Sequence, residues 1–148
     1  MSQANAGAVD KRPKGPAKPI VRPLSPHLQI WRWHVTMLAS ILHRATGMAL
    51  YAGAVLVIGW LAALALSHDA YARFVQLAAS PIGLIVWFGL TLSAFYHLAA
   101  GVRHLVWDTG VGLTPKSAST FATLCIWFAP IATVAFWAWL FVSGKVAL

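Results

Sequence analysis

ATGMALYAGAVLVIGWLAALALS, Ala45 to Ser67, runs for 23 residues without an aspartate, glutamate, lysine or arginine. A helix rising about 1.5 Å per residue needs about 20 residues to cross a hydrocarbon core of about 30 Å, so this stretch is long enough to span a membrane. Phe74 to Val102 and Ser117 to Gly144 are equally free of those four residue types. Together the three stretches predict transmembrane helices over roughly 45–66, 81–106 and 120–141. A membrane β-barrel does not fit, because its strands are only about 10 residues long and alternate polar with apolar positions.

Composition points the same way. Charged residues make up 9% of the 148-residue chain and apolar residues 59%, against about 25% and about 45–50% in soluble domains. A chain with so few charges cannot cover a water-facing surface. The predicted fold class is therefore all-α: three transmembrane helices in a helical bundle, preceded by a short amphipathic helix. That leading helix is read from RPLSPHLQIWRWH, where Ser25 and Pro26 form a helix-start signal. Leu28, Trp31, Val35, Leu38, Leu42 and Ala45 then recur every three or four residues into the first span. Trp31, Arg32 and Trp33 have the character of interfacial anchors.

Residues 1–21 read as a flexible basic tail rich in Ala, Gly, Pro and Lys, and residues 22–148 as the membrane domain. The tail has no signal-peptide pattern. Ser67 to Ser80 is expected to be a loop, and Asp108, Gly110, Gly112 and Pro115 a turn between the second and third spans. Trp127, Trp137 and Trp139 make the third span a lipid-facing or packing element. The lone Cys125 within it excludes a cysteine-built metal site in this subunit.

The net charge of +8 is concentrated at one end of the predicted topology. Lys11, Arg12, Lys14, Lys18, Arg22, Arg32 and Arg44 precede the first span, and Arg103 and Lys116 return to the same side, whereas Arg73 and Lys145 lie opposite. Nine against two predicts a cytoplasmic N-terminus and an outer C-terminus by the positive-inside rule. No nucleic-acid partner is expected, because aromatic residues do not interleave with the basic ones before Trp31. The tail also lacks the Arg- and Ser-rich pattern of a transit peptide, which favours a bacterial inner membrane over a mitochondrial one.

Ionisable groups within spans normally mark a functional interior. They fall here in two places: SILHRATG, Ser40 to Gly47, and YHLAAGVRHLVWD, Tyr96 to Asp108. The topology brings these to the same side and depth on antiparallel neighbours. His97, Gly101, His104 and Asp108 line one helical stripe, with Gly101 leaving room for a flat ligand against the backbone. His97 lies about 9 Å further in than Arg103 by helical rise. An imidazole at depth with cations nearer the surface meets the two demands of haem, a ligand for iron and partners for the propionates. His97 is the candidate axial ligand, with His43, Arg44, Arg103 and His104 as candidate propionate partners. The competing role for one such histidine is a hydrogen bond to a neighbouring helix's backbone; two polar groups at one depth favour the cofactor. His27, His34 and His68 are assigned to surface roles. Ser40, Arg44 and Asp108 could also serve a quinone, whose carbonyls need hydrogen bonds and whose reduction needs protons from water. Ser40 could instead bond its own helix backbone, and Asp108 could pair with Arg103 or Lys116.

At these residues the sequence resembles the cytochrome b556 family of succinate dehydrogenase membrane anchors, in respiratory complex II. RPLSPHLQIW, SILHRATG and YHLAAGVRHLVWDTG occur in that family's order and spacing, over Arg22 to Gly110. The resemblance implies a subunit outside the catalytic core, with succinate oxidised on a flavoprotein partner and electrons passed through an iron–sulfur partner to ubiquinone. It implies haem b shared with a second hydrophobic anchor, which supplies the other axial ligand to match His97. His43 and Arg44 match the propionate and quinone contacts, Ser40 the quinone contact, with Asp108 nearby. His104 matches a family histidine. The competing readings are a haem-free scaffold and the anchor of another quinone-linked b-type enzyme, such as fumarate reductase.

Overall fold

The computed structural model describes residues 23–144, so the basic tail and Lys145 lie outside the described residues. The chain divides into two units, Met1–Arg32 and Trp33–Leu148. In the first, α1 (His27–Ile30) is a single turn. Its cap is Pro26, whose carbonyl accepts from the Gln29 and Ile30 amides, and no side chain caps it. The short amphipathic helix expected from Ser25 is a single turn and does not continue unbroken into the span. Trp31 (ψ 132°) and His34 (φ −120°, ψ 141°) are extended, and a new helix starts after His34.

The second unit is built from α2 (Val35–Leu66), α3 (His68–Ala78), α4 (Pro81–Asp108) and α5 (Pro115–Val142). No strand occurs among the described residues. α2, α4 and α5 are long and apolar enough to cross a membrane, with 32, 28 and 28 residues. All three pack against one another. α2 begins ten residues before the expected boundary, because the helix carries His43 and Arg44 within it instead of starting beyond them. α5 begins at Pro115 and not near 120. The Thr114 hydroxyl accepts from the Ser117 amide at 3.3 Å and Pro115 takes the first turn, where a missing N–H costs nothing.

The expected loop at Ser67 to Ser80 is mostly helix. Ser67 caps α3 by accepting from the Ala70 amide at 3.1 Å, and Asp69 sits in the first turn, where its charge suits the helix dipole. The polar Ser67, His68 and Asp69 read as a loop but are a helix start. Phe74, Val75 and Ala78 of α3, with Val57, Trp60 and Trp87, line a cleft of about 430 Å³. The Ser80 hydroxyl accepts from the Gly83 amide at 3.1 Å ahead of Pro81, which opens α4 as expected.

Close packing relies on small residues. Ala39, Ala100 and Ala122 are wholly buried, and Tyr96, Ala100, Cys125 and Ala129 form the core with Leu42, Leu92 and Phe95 around them. Small side chains let backbones approach where lipid gives helices no hydrophobic reason to associate. Gly53 is such a point, since a Cβ there would stand 2.8 Å from Leu90 Cδ2. Trp137 is buried against Phe88, whereas Trp127 and Trp139 face outward. Ile85, Leu61, Ile131 and Val134 are also exposed, which suits a surface that meets lipid or other helices. The α4–α5 turn uses Gly110 (φ 80°) and Gly112 (φ 79°), conformations that favour glycine.

Candidate functional site in the membrane bundle

α2 and α4 run antiparallel, so the start of one meets the end of the other. Two hydrogen bonds join them: the Tyr96 hydroxyl donates to the Ala39 carbonyl at 2.8 Å in a buried position, and Thr46 Oγ1 lies 3.4 Å from His97 Nδ1. These bonds bring SILHRATG and YHLAAGVRHLVWD to one end of the bundle.

Three histidines meet there. His43 and His97 stack with ring centroids 4.2 Å apart and planes 21° from parallel. His104 approaches His43 at 5.3 Å and Trp107 edge-on at 5.2 Å. His43 and His97 are half-buried and His104 is exposed. Gly47 lies against the His97 ring, where an added Cβ would be 3.2 Å from Cε1. Beside Gly101, by contrast, a Cβ would meet nothing within 4 Å, the open space on the histidine stripe that the sequence predicts.

Arg103 is placed differently from its expected companions. Six residues from His97, it lies about 120° round the helix at about 100° per residue. It is 5% exposed and lines an apolar groove of about 460 Å³ with Leu98, Val102, Phe121, Cys125 and Phe128. Its guanidinium sits 4.7 Å from the Trp107 ring centroid, a cation–π contact, and its Nε and one Nη have no hydrogen-bond partner. His43 Nε2 is also buried and unpartnered. Buried polar atoms without partners are costly, and a carboxylate brought to Arg103 would relieve its unpartnered guanidinium nitrogens.

Arg44 and Asp108 are exposed, and Ser40 is half-buried. Among the described residues neither Arg103 nor Lys116 forms an ion pair with Asp108, and the Ser40 hydroxyl bonds no backbone carbonyl. Thr46, Thr91, Ser93, Thr123 and Thr133 each do, four residues back along their helix. No cluster of three or more metal-ligating side chains occurs among the described residues. Sequence reasoning missed Tyr96, Thr46, Gly47 and Trp107, although all four lie inside the quoted motifs. That Thr46 and Gly47 of α2 lie against His97 of α4 becomes visible only once the helices are paired.

The residues fit a haem edge. His97 offers an imidazole beside open space at Gly101, and the unpartnered guanidinium nitrogens of Arg103 suit a carboxylate. The stacked His43 and His97 present faces to one another, so the two cannot ligate one metal from opposite sides.

Residues 18–136 match the Succinate dehydrogenase/Fumarate reductase transmembrane subunit family. The chain is 44% identical over 97 residues to the succinate dehydrogenase cytochrome b556 subunit of Paracoccus denitrificans, covering 66% of this chain and 75% of that one. It is 38% identical over 96 residues to the subunit of the same name from Rickettsia felis, covering 65% and 74%. Against the mitochondrial succinate dehydrogenase cytochrome b560 subunit of Sus scrofa it is 44% identical over 97 residues, covering 63% of this chain and 56% of that one. The chain therefore belongs to the succinate dehydrogenase/fumarate reductase transmembrane subunit family.

Proposed function

We propose that this chain is the cytochrome b membrane-anchor subunit of a succinate:quinone oxidoreductase, holding haem b together with a second anchor subunit and forming part of a ubiquinone site. The observation that carries the reading is the meeting of His43, His97 and His104 at 4.2 and 5.3 Å at the end of the bundle that also buries Arg103. Relatives bearing the cytochrome b556 name support it. Haem b, when bound, would supply a one-electron carrier.

His97 would hold the haem iron, with the partner anchor supplying a further ligand; the stacking of His43 on His97 is against those two rings serving as a pair of ligands. His43, Arg44, Arg103 and His104 neutralise propionates. Ser40, whose hydroxyl is not spent on its own helix, and Arg44 hydrogen-bond a quinone carbonyl. Asp108, exposed at the C-terminal end of α4, hands protons from water to the quinone. Succinate oxidation belongs to a flavoprotein and an iron–sulfur partner, which dock at this end. Residues 22–148 form the anchor, and the basic tail lies in the cytoplasm of a bacterial inner membrane, the C-terminus on the periplasmic side.

The test is a reduced-minus-oxidised visible spectrum of the complex purified in mild detergent, with succinate as reductant. A b-type band in a preparation holding flavin and iron–sulfur partners is the expected result. An intact complex with no band removes the haem from this account.

A further inference from the structure

We propose that Thr46 is a positioning residue that fixes the tautomer of His97, so that Nε2 carries the lone pair offered to iron. This rests on the reading of His97 as haem ligand. The Thr46 hydroxyl lies 2.8 Å from the Leu42 carbonyl and 3.0 Å from the His43 carbonyl. Carbonyl oxygens only accept, so the single hydroxyl proton is committed to the backbone of α2. Toward His97 Nδ1, at 3.4 Å, the Thr46 oxygen can then act only as acceptor, and Nδ1 must carry the hydrogen. A neutral imidazole has one N–H, so its other nitrogen is the free base that a metal requires.

The contact is at the long end of hydrogen-bond range, but it does not act alone. Gly47, the next residue, lies against Cε1 of the same ring, and His43 covers one ring face. Three residues on one face of α2, His43, Thr46 and Gly47 at spacings of three and four, therefore limit how the ring can turn. A hydrogen-bonded far nitrogen orients a ligating histidine and raises its basicity. A more basic ligand favours ferric over ferrous iron.

The experiment uses the assembled complex with Thr46→Val, Thr46→Ala and Thr46→Ser, reading haem retention during purification and the haem midpoint potential. The valine and alanine variants are expected to keep a b-type band but to lose haem about 10- to 100-fold more readily. Their potential should rise, by about 59 mV for each tenfold weakening of ferric relative to ferrous binding. Serine, which keeps the acceptor, should restore both. Loss of the Leu42 bond alone would not move the potential. Where valine blocks assembly, alanine carries the same test. Wild-type retention and potential in the alanine variant would overturn the proposal while leaving His97 as ligand. A wild-type complex without haem would overturn the ligand reading itself.

Discussion

The imidazoles of His43 and His97 stack face to face, 4.2 Å between centroids and 21° from parallel, although they come from different helices. Stacking makes His43 a wall for the His97 ring and not a rival ligand. Replacing it with a flat ring lacking nitrogen separates the two contributions of the side chain. His43→Phe, which keeps the wall but not the propionate contact, is expected to retain more haem than His43→Ala, which loses both and should release haem at least about tenfold more readily than the unaltered chain. The haem-to-protein ratio after purification measures both.

Gly47 and Gly89 make a matched pair. A Cβ at Gly47 would press on His97 at 3.2 Å, and one at Gly89 meets nothing within 4 Å. Gly47→Val should therefore displace the ring and abolish or shift the b-type band, while Gly89→Ala leaves the spectrum unchanged. Equal spectra for the two variants would show that the Gly47 contact does not set the ring.

Arg103 is a buried cation with two unpartnered nitrogens. Without an anion this burial is unfavourable, and a charge-assisted hydrogen bond is worth about 1.5–3 kcal/mol. Arg103→Met is expected to raise the thermal stability of the chain without haem and to weaken haem binding about tenfold or more. Melting in detergent and haem titration of the same samples give the two signs.

The length and order of the spans can be read from the gaps between charges, and Pro81 marks the start of α4 by its chemistry. The break at Trp31 to His34 could not be read, because the three- and four-residue spacing of Leu28, Trp31 and Val35 continues across it. α3 was hidden for the opposite reason: Ser67, His68 and Asp69 carry loop composition, and only the cap to Ala70 reveals them as a first turn. At the polar end of the bundle, the meeting of SILHRATG with YHLAAGVRHLVWD and the open space beside Gly101 were legible from topology and stripe. The inward turn of Arg103 onto Trp107 was not, since a cation so near a helix end is ordinarily assigned to the surface.

Tyr96 shows what pairing adds. Its buried hydroxyl donates to the Ala39 carbonyl and ties α4 to α2 beside the histidines. Tyr96→Phe should cost about 0.5–1.5 kcal/mol, read as a lower melting temperature in detergent, with the haem spectrum unchanged.

Ser40 and Arg44 stand on one turn of α2, one with an uncommitted hydroxyl and the other exposed. Ser40→Ala and Arg44→Ala should reduce succinate:quinone activity about tenfold, the cost of about one hydrogen bond at about 1.4 kcal/mol per tenfold. Electron delivery from succinate to a soluble acceptor should be unaffected. Equal losses in the two assays would argue against a quinone contact at this turn.

The most direct measurement is the succinate-reduced spectrum of the complex carrying His97→Leu, with assembly checked by the presence of the flavin and iron–sulfur partners. The account predicts a complex that still assembles in the membrane and has lost or displaced its b-type band. A wild-type band in that variant would contradict it, by showing that the haem iron takes its ligand from elsewhere.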